Sequence, residues 1–386
     1  MKKVLIVVLG VVVIGCLIGF YLDKDSLSSI KDNKNVEESD DVSFPTDELF
    51  SKEYGNAQKK LCKMSLEEKV GQLFLVRYDK NMAMSWINDY YAGGYILFAK
   101  DFDNHTKGSI KEELSSLNKN SKIPLVFAVD EEGGYVTRVS RYKAFRDEKF
   151  PSPRDVYDSL GVEGLESIEK EKGELLLSLG INLNLAPVAD VSVDSNDFIN
   201  NRTFNRDAKE TANLIGLMVD YANEVEISSS LKHFPGYGNN VDTHTGVAID
   251  ERSYDNFLNN DYLPFEEGIK RKVPSILVSH NIIKCIDSEY PATLSKNVVT
   301  GELRNKLNFS GIIITDDLSM DAVSSYVDDN SAAVLAINAG NDLIITSDFV
   351  NMYNSVIAAV KAGKIKMETI DTAVRRILAW KSFYNM

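Results

Sequence analysis

Cysteine is scarce in this chain of 386 residues, with Cys16, Cys62 and Cys285 as the full complement. Three cysteines at those spacings make neither a disulfide framework nor a metal-type motif, so Cys62 and Cys285 are expected as two buried thiols. Basic residues are outnumbered, 43 Lys and Arg against 57 Asp and Glu, for a formal charge of −14. No Lys/Arg-rich run restores a basic footprint, which argues against a nucleic-acid partner. Histidine occurs only four times, and no His-x-x-x-His spacing appears on one helix, so the usual zinc-helix pattern is missing. No Gly-x-Gly-x-x-Gly follows any candidate strand, which disfavours a dinucleotide-binding doubly wound sheet. Internal repeats of 20 to 50 residues are also missing, and with them a solenoid. Apolar residues, by contrast, make up 44% of the chain, enough for a large core and too many for a mainly disordered protein.

One long hydrophobic run stands apart. Lys2 and Lys3 precede the uncharged stretch Val4 to Leu22. As a helix it would extend about 28 Å, close to the ~30 Å hydrocarbon core of a bilayer. Positive charges ahead of the run favour a cytoplasmic N-terminus and an extracytoplasmic body. Two attachments fit. Val13-Ile14-Gly15-Cys16 resembles a lipoprotein box, in which Cys16 would carry lipid. The apolar character of Leu17 to Leu22 favours an uncleaved membrane anchor instead. Residues 23–43 read as a disordered acidic linker, too poor in apolar side chains to order themselves. Residues 44–386 read as a single folded domain.

Within that domain β-rich runs alternate with helical patterns. Ser65 and Glu68 have capping-box spacing and open a helix carrying Val70 and Leu73. Strands are expected at Leu73–Val76, Tyr95–Ala99, Leu125–Val129 and Asn182–Ala186. Four more are expected at Ser228–Lys232, Ile276–Ser279, Ile312–Thr315 and Leu343–Thr346. The last helix shows Ile370, Val374, Ile377 and Leu378 on one face. Eight strands separated by helices predict an α/β fold of the (β/α)8 TIM-type barrel class.

In such a barrel the chemistry sits where the strands end. The third strand ends in Asp130-Glu131-Glu132-Gly133-Gly134, with Arg138 beyond. The fourth leads to Asp190 and Arg202. The fifth ends in Lys232-His233-Phe234-Pro235-Gly236-Tyr237-Gly238, followed by Asp242-Thr243-His244. The sixth reaches His280 and the seventh Asp316-Asp317. Taken alone, Asp317 is most simply a helix N-cap, and Lys232 with His233 could be a satisfied polar pair. Convergence of so many charges on one rim points to function. A metal held by His233, Asp242, His244 and His280 is disfavoured, because Lys232 would repel the cation. Carboxylates near Arg and Lys suit recognition of sugar hydroxyls, and a carboxylate paired with a proton donor suits glycosyl transfer.

The runs Met64 to Phe74, Asp130 to Gly134, Asn184 to Asp190, Lys232 to Gly236, Asp242-Thr243-His244 and Thr315 to Met320 occur in family order. Together they resemble glycoside hydrolase family 3, and within it the single-domain β-N-acetylglucosaminidase (β-N-acetylhexosaminidase) branch. The resemblance implies retaining exo-hydrolysis of terminal β-linked N-acetylglucosamine, with peptidoglycan fragments or muropeptides as the expected substrate. It implies Asp316 as nucleophile, His244 as acid/base and Asp242 as the group that orients the imidazole. Asp130, Arg138, Arg202, Lys232 and His233 match positions that bind the sugar. Tyr237 departs from the branch, which usually has a second His there. No metal and no organic cofactor is implied, and the protein is expected as a membrane-tethered monomer. A β-N-acetylglucosaminide phosphorylase and a non-catalytic glycan-binding barrel are the alternatives.

Overall fold

The computed structural model describes residues 48–240, 248–324, 326–327 and 329–386. The apolar run, the linker and the lipoprotein-like cysteine all lie outside the described residues, as do Asp242 and His244. Among the described residues no helix is long and apolar enough to cross a membrane.

Eight parallel strands follow one another around a barrel in chain order. They are β1 Phe74–Arg77, β2 Gly94–Ile96, β3 Val126–Val129, β4 Leu183–Asn184, β5 Ser228–Phe234, β6 Ser275–Val278, β7 Ile312–Thr315 and β8 Ile344–Thr346. β1 pairs with β8 through Phe74 opposite Ile344. The remaining seam between β7 and β8 is joined by the bridge of Ile314 to Leu343, and the Thr315 amide donates to the Leu343 carbonyl at 3.0 Å. Each expected strand is present, Ile312–Thr315 at the expected residues and the others with ends displaced by at most three residues. Fully buried runs such as Ile312 to Ile314 are what a parallel sheet covered on both faces requires.

Helices cross over between strands, and their starts are written locally. Ser65 accepts from the Glu68 amide at 3.1 Å while Glu68 accepts from the Ser65 amide at 2.9 Å, completing the capping box of Leu66–Gln72. Ser152 caps Pro153–Ser178 with Pro153 in the first turn, where its missing N–H costs nothing. Asp207 caps Ala208–Glu224 through the amides of Lys209 and Glu210. The last helix, Met367–Phe383, buries Ile370, Val374, Ile377 and Leu378 as the periodicity predicts. It also buries Trp380, whose indole N–H donates to the Ser228 hydroxyl at 2.9 Å, fastening the chain terminus beneath β5.

The cysteines correct one expectation. Cys62 and Cys285 are both exposed. Cys62 follows the helix Tyr54–Leu61 on its solvent side, where Gln58 Nε2 reaches its Sγ at 3.3 Å. Cys285 lies in the turn after the short strand Ile282–Ile283.

Candidate active site

The C-terminal ends of β3, β4 and β5 carry a continuous charged cluster. Asp130 directly follows β3 and accepts from Lys232 Nζ at 2.7 Å and from Arg138 Nη2 at 3.2 Å. Glu132 accepts from the same Lys232 at 2.6 Å and from Arg202 through Nη2 at 2.7 Å and Nε at 3.0 Å. Arg202 Nη2 lies 3.3 Å from His233 Nε2, and His233 Nδ1 lies 2.7 Å from Asp190 Oδ2. Asp190 is buried and acceptor-only when ionised, so Nδ1 carries the proton and Nε2 faces Arg202 as an acceptor. Asp130, Arg138, Arg202, Lys232 and His233 are thus brought into one network. The pairing register of β5 with β6 shifts between Leu231 and Phe234. An irregularity of this kind re-aims side chains, and here both Lys232 and His233 join the network although they are neighbours in a strand.

The electrostatics follow from burial and charge together. Burial alone would raise the Asp130 carboxyl, but the positive charges of Lys232 and Arg138 outweigh it and hold its pKa below the ordinary value. Glu132 is also held well down: burial opposes ionisation, and Arg202 with Lys232 more than reverses that. Arg202 is in turn kept more firmly protonated than usual, because Glu132 overcomes the cost of its burial. These groups are fixed charges at neutral pH. A polar ligand meeting them finds dipoles and charges already oriented.

Glu131 points elsewhere. Its carboxylate accepts from the amides of Arg138 and Val139 at 2.7 Å each and from the Ser140 hydroxyl at 2.5 Å. Its own amide donates to Asn184 Oδ1 at 3.0 Å. It braces the loop that delivers Arg138.

Asp316 follows β7, which stands four strands from β3 in the ring of eight and therefore across the mouth from Asp130. Its amide donates to the Val278 carbonyl at 3.0 Å, and the side chain is half-buried. Asp317 serves the local backbone, its carboxylate accepting from the Ser319 amide at 2.9 Å and the Ser347 hydroxyl at 3.0 Å. It caps a turn rather than the start of a long helix. His280 Nε2 donates to the Asp317 carbonyl at 3.0 Å, which ties the ends of β6 and β7. Tyr237 is buried, with its ring edge-on to His233 at 5.4 Å and tilted against Phe198 at 5.8 Å.

Two network members escape a reading of residue types alone. Glu132 and Asp190 stand within the motifs, yet nothing local says which cations they hold. The signal available was charge balance, since Lys232 and Arg202 near a barrel rim need partners of opposite sign.

The family model described as the glycosyl hydrolase family 3 N-terminal domain matches residues 65–380. A beta-hexosaminidase A of Pseudoalteromonas piscicida is 31% identical over 323 residues, which are 77% of this chain and 54% of the relative. A beta-hexosaminidase of Haemophilus influenzae is 34% identical over 260 residues, 65% of this chain and 71% of that protein. Among solved structures, a family 3 β-N-acetylglucosaminidase from Paenibacillus sp. str. FPU-7 superposes with a TM-score of 0.78 at 28% identity. That match covers 83% of this chain and 63% of the other. The β-N-acetylhexosaminidase of Beutenbergia cavernae gives 0.75 at 27% identity, covering 83% and 99%. The chain therefore spans about half the length of the Pseudoalteromonas relative and nearly all of the Beutenbergia one.

Proposed function

The chain belongs to glycosyl hydrolase family 3, and from that premise we propose that it is a retaining exo-β-N-acetylglucosaminidase acting on terminal β-linked N-acetylglucosamine. The observation that carries the reading is the fixed network of Asp130, Arg138, Lys232, Glu132, Arg202 and His233 at and beyond the C-terminal ends of β3 to β5, opposite Asp316 just after β7. A pyranose in the mouth meets charged hydrogen-bond partners on one side and a carboxylate on the other. The names of the similar proteins, hexosaminidases and an N-acetylglucosaminidase, support the N-acetyl sugar over glucose.

In the first step an Asp316 oxygen attacks the anomeric carbon as the glycosidic C–O bond breaks, giving a glycosyl ester. His244 protonates the departing oxygen. In the second step the neutral imidazole takes a proton from water, which displaces Asp316 and restores the free carboxylate. An imidazole of ordinary pKa, about 6.5, serves both directions near neutral pH. Asp242 would favour its protonated form and set its tautomer. The uncharged run Val4 to Leu22, or lipid on Cys16, would hold the enzyme at the outer face of the membrane, where peptidoglycan fragments are the natural substrate in this reading.

Purified protein assayed on p-nitrophenyl β-N-acetylglucosaminide beside the β-glucoside tests the proposal, with Asp316→Asn as control. Release from the N-acetyl substrate alone, lost in the variant while sugar binding persists, is expected. Equal release from both sugars would overturn the substrate class. Formation of a sugar 1-phosphate on adding inorganic phosphate would replace hydrolysis by phosphorolysis.

A further inference from the structure

The segment that follows β5 leaves the barrel at Tyr237 and returns at the short strand Ile249–Asp250. Its two stems meet on one another. Asn240 Nδ2 donates to the Tyr237 carbonyl at 2.8 Å on the outgoing stem and to Asp250 Oδ2 at 2.7 Å on the returning one. Arg252 then fixes both to the barrel. Its Nε and Nη2 bind both Asp250 oxygens at 2.8 to 3.1 Å, and its Nη1 binds both Asp261 oxygens at 3.0 and 2.9 Å. The guanidinium also lies over the Phe257 ring, 4.6 Å from its centre, and reaches the Gly236 carbonyl at 3.4 Å.

The backbone is shaped to this cation. Gly238 has φ +55°, and a Cβ there would stand 2.3 Å from Arg252 Cζ; Gly236 has φ +125°, and a Cβ there would meet Asp261 Oδ1 at 2.3 Å. Both glycines let the outgoing stem pass directly over the ion pairs. Asp190 joins the same stem to the sugar network, since one oxygen accepts from His233 Nδ1 and the other from the Tyr237 amide at 2.7 Å. Few surface salt bridges would need two buried carboxylates, both 1% exposed, for one arginine.

We propose that Arg252, held between Asp250 and Asp261, is a positioning residue that fixes both stems of the segment carrying Asp242 and His244, and so determines the proton-transfer geometry of the reaction. The inference rests on the reading of His244 as acid/base. It assigns no contact between Arg252 and substrate; the effect passes through the stems alone. A lysine cannot replace it, because a single ammonium lacks the planar fork whose separate nitrogens here reach both oxygens of Asp250 and both oxygens of Asp261.

The test is a cycle of Arg252→Met, His244→Ala and the double variant in the full chain. Each is assayed on an alkyl β-N-acetylglucosaminide, whose leaving group needs protonation, and on a dinitrophenyl one, whose leaving group does not. General acid catalysis is worth about 100-fold to 10,000-fold, so His244→Ala should lose about that on the alkyl substrate and little of the glycosylation rate on the dinitrophenyl one. Arg252→Met should show the same selectivity in kcat/KM, which reports the glycosylation step, with a loss of about 10-fold to 100-fold on the alkyl substrate. The double variant should be no slower than His244→Ala. Equal loss on both substrates, or a double variant slowed by the product of the two effects, would overturn the positioning role while leaving His244 in place. A His244→Ala variant without leaving-group selectivity would overturn the acid/base reading and the positioning role with it. Arg252→Lys, which retains charge and most of the packing, guards against misfolding; it should fold and still show the selective loss.

Discussion

Replacing Glu132 by Gln removes one negative charge from between two cations while keeping the volume of the side chain. Glu132 is 5% exposed and Lys232 3% exposed, and Arg202 contacts the same carboxylate with two nitrogens. Breaking a buried ion pair by deleting one partner costs about 3–5 kcal/mol, because the remaining charge is left uncompensated. Lys232 keeps Asp130 as a partner at 2.7 Å, whereas Arg202 retains only the neutral His233 contact in the network, so the lower half of that range is expected. With roughly 2.1 cal/mol/K of unfolding entropy per residue over about 340 residues, 3 kcal/mol corresponds to about 4 °C in Tm.

The variant has a pH signature as well. Burial works against Glu132 ionisation, but Arg202 and Lys232 prevail and its folded pKa lies below the unfolded value, which is about 4.3 for glutamate. A depressed carboxyl contributes stability that is fully present above the unfolded value and is lost as pH falls through the folded one. Urea unfolding of wild type and Glu132→Gln at pH 7 and pH 3.5 should therefore show the stability gap narrowing in acid. Displacement of Arg202 and Lys232 should also lower kcat/KM on the N-acetyl substrate by about 100-fold. A Tm change below 1 °C with a gap independent of pH would refute the assignment of Glu132 as the charge that holds both cations.

Two further outcomes follow from groups remote from the mouth. Lys381 is buried with its Nζ donating to Gln72 Oε1 and the Gly93 carbonyl, both at 2.8 Å, and burial, aided by Lys60, lowers its pKa to about 7. The unfolded chain, with lysine near 10.4, then binds more protons between those values, so stability rises with pH across that window. Urea midpoints of wild type and Lys381→Met compared at pH 7 and pH 9 should reveal a wild-type gain of about 2 kcal/mol that the variant lacks; parallel pH profiles would contradict it. Ser65→Ala removes one half of the Ser65–Glu68 capping box and should lower stability by about 1 kcal/mol by the same measurement, with activity unchanged.

The barrel was legible because its strands are short apolar runs that need no partner to be recognised; Ile312–Thr315 occupies the expected residues. β4 is shorter than expected, yet the backbone of Asn182 still bonds Phe127 and Ser228, and its side chain adds to these by taking the Phe127 amide and donating to the Leu125 carbonyl. The site divides differently. Residue types at strand ends betray chemistry, since a charge beside an apolar run stands out, and all five expected sugar-binding positions enter one network. Pairing does not stand out. Adjacent Glu131 and Glu132 are indistinguishable in sequence, yet one braces loop amides and the other joins two cations. Lys232 lies 102 residues from Asp130, a separation across which no local pattern acts. Arg252 is more opaque still, nine residues from Asp261 and at no strand end of the barrel. Only when the turn at Gly236 and the helical stretch from Tyr254 are folded do both carboxylates face it. A residue that acts by holding others carries no chemistry of its own to read; its role is visible only in where its hydrogen bonds go.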